Sequence, residues 1–200
     1  MIHFITPLYR YNYVPIIYST IKNQVTDFNW HLIEGSKKTG DYDLTDILLD
    51  ERIIYHKIKT NYAWGHEQRN YFITDIMAND NDWCYFLDDD NIVTHDLILT
   101  FNEEKNTDTD LVLFSQKKGL TEQIRLYGED YRLQLGHADI GSFMIRWRIM
   151  KNTIIPYIDH RNADGHYADQ LRAMKDKKGY NYKYIIDRYT RYNALGLEIT

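Results

Sequence analysis

The chain has 200 residues, 44% of them hydrophobic and 26% charged, with a formal net charge of -5. That is apolar material enough for one globular domain, and the acidic balance argues against a general nucleic-acid or anionic-membrane surface. An anionic ligand would need local help from a metal ion or a few arginines. The one cysteine, Cys84, excludes an internal disulfide. No run approaches the roughly 18 apolar residues of a membrane span, and the opening residues lack the basic and apolar regions of a signal peptide. The expectation is a soluble, cytoplasmic protein with no membrane span and no nucleic-acid partner. Its 18 tyrosines suit sugar stacking as well as ordinary packing.

Ile2 to Thr6 reads as a first strand, stopped by Pro7. Asn12 can cap a helix that tolerates Pro15 in its first turn. Val14, Ile17, Ile21 and Val25 recur at three- and four-residue steps along one face of it. Phe28, Trp30 and Leu32 alternate in a second strand ending at Glu34-Gly35, with a polar loop over Lys37 to Asp43, and Arg52 to Ile58 reads as a third strand. Gln68 to Ala78 predicts a helix with Phe72, Ile73, Ile76 and Met77 on one side. Trp83 to Leu87 is a continuous apolar run, which suits a strand covered on both faces. Thr94 to Asn102 predicts a helix and Leu111 to Phe114 another buried strand. Gln116 to Gly136 is polar, a hairpin or mobile loop and the candidate lid over bound ligand. Ala138 to Arg146 predicts a strand or corner bent at Gly141, His166 to Lys175 a helix, and Tyr182 to Ile186 a last strand. Strands alternating with helices give an α/β class with a mostly parallel sheet.

The rest is organised around Trp83-Cys84-Tyr85-Phe86-Leu87-Asp88-Asp89-Asp90-Asn91. An apolar strand ends in three adjacent carboxylates, which repel one another and need a compensating charge. In an open α/β sheet, ligands collect past the carboxyl ends of the strands. On an extended backbone Asp88 and Asp90 point one way and Asp89 the other, which suits a hard divalent cation sharing its shell with phosphate oxygens. The plain alternative is a solvated acidic turn leading into a helix capped by Asp90 or Asn91. The eight histidines show no zinc-site spacing.

These segments resemble a nucleotide-sugar-dependent glycosyltransferase of the GT-A (Rossmann-like) fold. The run Tyr85-Phe86-Leu87-Asp88-Asp89-Asp90-Asn91 is most similar to the DxD metal motif of inverting β-1,3-glucuronyltransferases. Thr6-Pro7-Leu8-Tyr9, Trp30-His31-Leu32-Ile33-Glu34, Gln68-Arg69-Asn70 and Asp139-Ile140-Gly141-Ser142-Phe143 echo that family in matching order. The resemblance implies one domain over residues 1–200, with 1–115 the nucleotide-binding half and 116–200 the acceptor-binding half. It implies Asp90 as principal metal ligand, with Asp88 and Asp89 near the metal and the ribose. Thr6, Pro7 and Tyr9 would line the base pocket, Tyr9 stacking on the base, and Arg69 would sit near base or sugar. Where the family has a base-binding acid after Glu34, this chain has Gly35, and nucleotide identity loses its main determinant.

The implied reaction uses Mn²⁺ or Mg²⁺, a UDP-sugar donor and a carbohydrate acceptor, with inversion. The ion neutralises the leaving diphosphate and a carboxylate takes the acceptor proton. The candidate base is Asp169, in the first turn of the helix predicted from His166, with Asp164 in reserve; strict alignment to the family falls on Ala168. Asp139 would orient the acceptor. Arg188 or Arg191 would suit a phosphate through the planar guanidinium. Further domains of a longer protein are compatible with this reading. Three rivals share features of the sequence. A haloacid-dehalogenase-like phosphatase also carries Asp-x-Asp after an apolar strand, ordinarily on its first core strand. A sugar nucleotidyltransferase shares the sheet, but its Gly-rich loop is missing, since Thr6 to Tyr13 holds no glycine. The third is a non-catalytic glycan-binding module on the same fold.

Overall fold

A computed structural model describes residues 1–24, 27–39, 42–61, 65–126, 139–156 and 160–196. In chain order these form β1 (Ile2–Arg10), α1 (Val14–Lys22), β2 (Phe28–Thr39), α2 (Thr45–Leu48), β3 (Ile53–Lys57), α3 (His66–Asp75) and β4 (Trp83–Phe86). There follow α4 (His95–Glu104), β5 (Leu111–Lys118), β6 (Ile124–Leu126), β7 (Phe143–Arg146), α5 (Trp147–Met150), α6 (His160–Lys178) and β8 (Tyr182–Tyr192). One sheet runs β3-β2-β1-β4-β7-β5, with β8 parallel along one edge of β5. β7, antiparallel to both β4 and β5, takes the other edge at Leu111–Leu113, and β6 takes it over at Gln116–Lys117. The sheet is mostly parallel and flanked by helices, a single α/β domain.

Apolar side chains fill both faces. Ile2, Phe4, Trp83, Tyr85 and Phe114 pack with Val14 and Ile17 of α1 and Phe101 of α4 on one side. Ile5, Cys84, Phe86 and Leu113 pack with Phe72 of α3 and Tyr167 and Leu171 of α6 on the other. Trp83 to Phe86 thus alternate between two cores, which is why the run is apolar throughout.

Several expected boundaries move. β1 continues through Pro7 to Arg10 instead of stopping. Ile5 O accepts from Leu87 N at 3.0 Å, so with a period of two the Pro7 nitrogen faces the β4 side. β4 pairs with β1 only as far as Ile5 opposite Phe86, so the proline forfeits no ladder bond. β2 extends past Gly35 to Thr39 and replaces much of the expected loop. α3 ends at Asp75 with Ile76 extended, which leaves Met77 94% exposed and off the helix face. Thr94, not Asp90 or Asn91, caps α4 by accepting from Leu97 N. β5 runs on through Ser115, and Gln116 belongs to its hairpin with β6. α6 starts at His160, six residues ahead of the expected His166, and β8 reaches Tyr192. Val25 and residues 127–136 of the expected lid lie outside the described residues.

Candidate active site

β1 has β2 on one side and β4 on the other, so strand order reverses at β1. The crevice past the carboxyl ends of β1 and β4 is a topological switch point, where open α/β sheets take their ligands. The three acids stand there. A turn closes over them, Asn91 N donating to Asp88 O at 3.0 Å, and the alternation expected of an extended backbone is lost.

Asp88 accepts from the buried Arg69 guanidinium of α3. Asp89 turns back onto β1. Its Oδ2 accepts from the amides of Tyr9 and Arg10, both at 2.6 Å, and its Oδ1 accepts from Arg10 Nη1 at 2.7 Å. Held by these three donors, Asp89 positions the end of β1. Asp90 Oδ2 lies 3.0 Å from the same Arg10 Nη1. Burial pushes the Asp90 carboxyl up to about 6, Asp88 and Asp89 adding to the rise and Arg10 opposing it. Leu195 N donates to Asp90 O at 2.8 Å and Ala194 N to Asn91 Oδ1 at 3.2 Å, so the segment after β8 closes over the turn. Asp88 and Asp90 offer hard carboxylate oxygens of the kind Mg²⁺ or Mn²⁺ accepts beside phosphate oxygens and water. Among the described residues, no group of three or more His, Cys, Asp or Glu side chains is arranged to hold an ion alone.

On the nucleotide side, Tyr9 OH accepts from Gly65 N at 2.8 Å and Gln68 Nε2 at 3.0 Å. Gly65 has φ +77°, and a Cβ there would come within 2.7 Å of Pro7 Cβ, so this close approach to β1 requires glycine. Pro7 therefore packs under Gly65. Thr6, expected to line the base pocket, is fully buried and accepts from Trp30 Nε1 at 2.9 Å. A cleft of about 450 Å³ opens beside the second half of β2 and the end of β3, lined by Glu34, Gly35, Ser36, Lys57, Ile58 and Lys59. Glu34 accepts from the hydroxyls of Tyr11 and Tyr55 and pairs with Lys57 at 3.0 Å. A Cβ on Gly35 would meet Gln68 Nε2 at 2.6 Å and Thr60 Oγ1 at 2.7 Å. The space an acid would need at position 35 is filled by these two side chains.

Beside the acids, Asp139 precedes a short 3₁₀ turn, Ile140–Ser142, and its Oδ1 accepts from Gly141 N at 2.9 Å and Gln116 Nε2 at 3.2 Å. Asp164 of α6 accepts from Ile140 N at 3.3 Å. Burial pushes its carboxyl up to about 7, with Asp139 and Asp88 adding to the rise and Arg69 opposing it. Arg69, Asp88, Asp139 and Asp164 form one electrostatic cluster. Asp169 is not part of it. Five residues on, roughly 140° round the helix, it accepts from Arg172 at 2.9 Å. Arg188 holds Glu103 at 2.7 and 2.8 Å and Arg191 holds carbonyls of Gly119 and Thr121, so neither reaches the crevice as expected. Gln116 and Gly65 carried no signal in the sequence; each acts through a partner at least 23 residues away or through a backbone angle.

No family model matches the chain, and no curated protein matches it in sequence. Solved structures do. Residues 1–349 of S. aureus TarS superpose with a TM-score of 0.60 at 12% identity, over 96% of this chain and 58% of that one; the same protein has been solved with UDP. A mannosyltransferase from Pyrobaculum calidifontis, in complex with GDP-Man and Mn²⁺, gives 0.59 at 13% identity over 98% and 58%. A putative glucose-1-phosphate thymidylyltransferase from Bacillus anthracis gives 0.50 at 13% identity over 92% and 85%.

The fold is GT-A. At these identities the likeness is one of architecture, and the chain spans 58% of the TarS fragment and of the mannosyltransferase. The thymidylyltransferase shares the sheet, as expected of a nucleotidyltransferase. In the GT-A domain described here, the stretch that would carry such an enzyme's glycine-rich loop is instead the end of β1 and a 3₁₀ turn, Tyr11–Tyr13. The acids follow the fourth strand, not the first. Among the described residues, no helix is long and apolar enough to cross a membrane.

Proposed function

We propose that this chain is a metal-dependent glycosyltransferase moving a hexosyl or pentosyl group from a UDP-sugar to a glycan hydroxyl, with inversion. The observation that carries the reading is the Asp139–Asp164 pair, Asp139 buried and Asp164 half-buried, standing against the Arg69–Asp88 ion pair at the switch point. This supports Asp164 as a proton acceptor, its carboxyl pushed up to about 7 beside the Arg69–Asp88 pair. Asp164 takes the proton of the acceptor hydroxyl as its oxygen bonds to the anomeric carbon and the bond to the diphosphate breaks. Asp139, held by Gln116 and the Gly141 amide, orients that hydroxyl. Asp169 is set aside as base in favour of Asp164.

Asp90 and Asp88 would hold the Mn²⁺ or Mg²⁺ ion. Asp90 is buried, its carboxyl pushed up to about 6 chiefly by desolvation, and with Asp88 it offers the hard oxygens a divalent cation takes, so the residues fit a cation. When bound, the ion supplies neutralisation of the leaving diphosphate. Pro7, Tyr9 and Gly65 form the wall on the base side, and the cleft beside Glu34 has room for a base. A lone, buried Cys84 suits a reducing, cytoplasmic setting.

Calorimetric titration with UDP and GDP, with and without Mn²⁺, tests the reading. UDP should bind only with the metal, and Asp90→Ala should abolish that binding without unfolding the protein. Nucleotide binding that ignores both metal and Asp90 would reject the metal assignment. No binding of either nucleotide, together with phosphate release from a phosphomonoester, would favour the phosphatase.

A further inference from the structure

We propose that Arg10 is the resident counter-cation of the Asp89–Asp90 pair and sets how tightly a divalent ion is held at Asp90. The inference rests on the metal reading above and adds a residue that opposes it. One nitrogen, Nη1, serves both carboxylates, 2.7 Å from Asp89 Oδ1 and 3.0 Å from Asp90 Oδ2. The two ends of this bridge differ. Asp89 keeps two backbone amides on its other oxygen wherever the Arg10 side chain goes, whereas Asp90 Oδ2 is paired with the Arg10 guanidinium itself.

Exposure is equally one-sided. The Arg10 side chain is 46% exposed and that of Asp90 only 10%. Arg10 is the last residue of β1, beyond a register shift against β2. Asp90 is fixed by the Leu195 amide on its carbonyl and by the Gly196 backbone, where even a Cβ would lie 3.3 Å from Oδ2. The carboxylate oxygen is walled on that side and covered by the guanidinium. An ion bonded to Oδ2 at the roughly 2.0–2.2 Å of Mg²⁺ and Mn²⁺ would lie within a few ångströms of Nη1. Two cations that close in a partly buried site repel strongly, so the guanidinium must retreat from Asp90 for the ion to enter.

The acid turn is therefore a poor metal site by itself. A nucleoside diphosphate changes the balance, because it brings negative charge that the ion and the displaced guanidinium can share. The chain should take metal and diphosphate together, not metal first.

Free Mn²⁺ measured by electron paramagnetic resonance during titration, with no nucleotide present, separates the possibilities. Arg10→Gln should bind Mn²⁺ at least tenfold more tightly than the wild type. Arg10→Lys, which keeps the charge, should stay within threefold of it, and Arg10→Gln/Asp90→Ala should not bind. With UDP present, the gap between wild type and Arg10→Gln should narrow. Circular dichroism checks folding, and if Arg10→Gln is unfolded the narrower comparison of Arg10→Met with wild type replaces it. Should Asp90→Ala abolish Mn²⁺ binding with UDP while Arg10→Gln leaves the nucleotide-free affinity unchanged or weaker, the Arg10 proposal is overturned and the metal reading stands. Mn²⁺ binding that survives Asp90→Ala would remove both.

Discussion

Asp164 stands where function and stability pull in opposite directions. Its carboxyl titrates near 7 in the folded chain, above the ordinary aspartate value of 3.8. A carboxyl raised in this way makes the folded state bind protons the unfolded state has released, so it destabilises the protein at neutral pH. Asp164→Asn should therefore abolish transfer, retain donor affinity and raise the thermal midpoint, measured by calorimetry at pH 7.5. In the wild type, kcat/KM should fall about tenfold per pH unit below roughly 7, as the base becomes protonated. Asp169→Asn should leave transfer within twofold, and loss of activity there would return the base to Asp169. Arg146 shows the purely structural case. Its guanidinium donates to the carbonyls of Asn81, Glu104, Lys105, Thr107 and Thr109 and lies 4.2 Å from the Trp83 ring. Arg146→Met would leave the carbonyls after α4 without their donor, at a cost of about 3 kcal/mol or more in chemical denaturation. At this scale the sequence reveals the three acids, because charge beside an apolar run is local information. It does not reveal which acid is the base. That depends on the phase of α6, which starts six residues earlier than its apolar pattern announces.

Among the elements, β1, β2 and β3 share a feature with its own pH dependence. Asp82 accepts from His3 Nε2 at 3.4 Å, leaving His3 Nδ1 to accept from His31 Nε2 at 3.0 Å and His31 Nδ1 from His56 Nε2 at 3.1 Å. The obligate acceptor at one end fixes every tautomer along the chain. Phe72 of α3 covers His3 and His31, and Tyr71 meets His56. Burial lowers all three imidazoles, and His31 falls to about 3. The unfolded chain takes up these protons near the ordinary 6.5, so stability is full above that pH and declines as pH falls below it. Through His31 alone the loss is about 1.4 kcal/mol per pH unit. Between pH 7.5 and 5.5 the raised carboxyls of Asp164 and Asp90 act in the opposite sense in both proteins, so the histidine contribution is read as a difference: acidification should lower the urea midpoint of the wild type relative to that of His31→Leu. Parallel shifts would reject the coupling. Nothing in the spacing of these histidines announces the chain, because strand register brings them together. Pro7 misleads for the same reason. A proline signals a strand end only where its nitrogen has a partner strand to lose, and here β4 has already ended.

For the molecule as a whole, sheet order interlocks residues 1–115 with residues 116–200. β7, from residues after 115, wedges between β4 and β5, and β8 pairs along the full length of β5. Each half leaves the other an unpaired sheet edge. Fragments 1–115 and 116–200 should each show no cooperative unfolding transition alone and should regain one when co-refolded. Independent folding of 1–115 with native-like thermal cooperativity would overturn that view. The α/β class and the parallel core are legible because both rest on local apolar runs. The reversal of β7 is not, since nothing in Phe143 to Arg146 records which way its neighbours run.

The bond from Ala194 to Asn91 spans 103 residues. During synthesis the acid turn therefore leaves the ribosome long before the segment that closes over it. At the roughly 5–20 residues per second of translation, that interval lasts about 5–20 s. Three carboxylates, answered by Arg10 and Arg69, are the last part of the crevice to be finished, and a nascent chain has its sheet begun before it has a site.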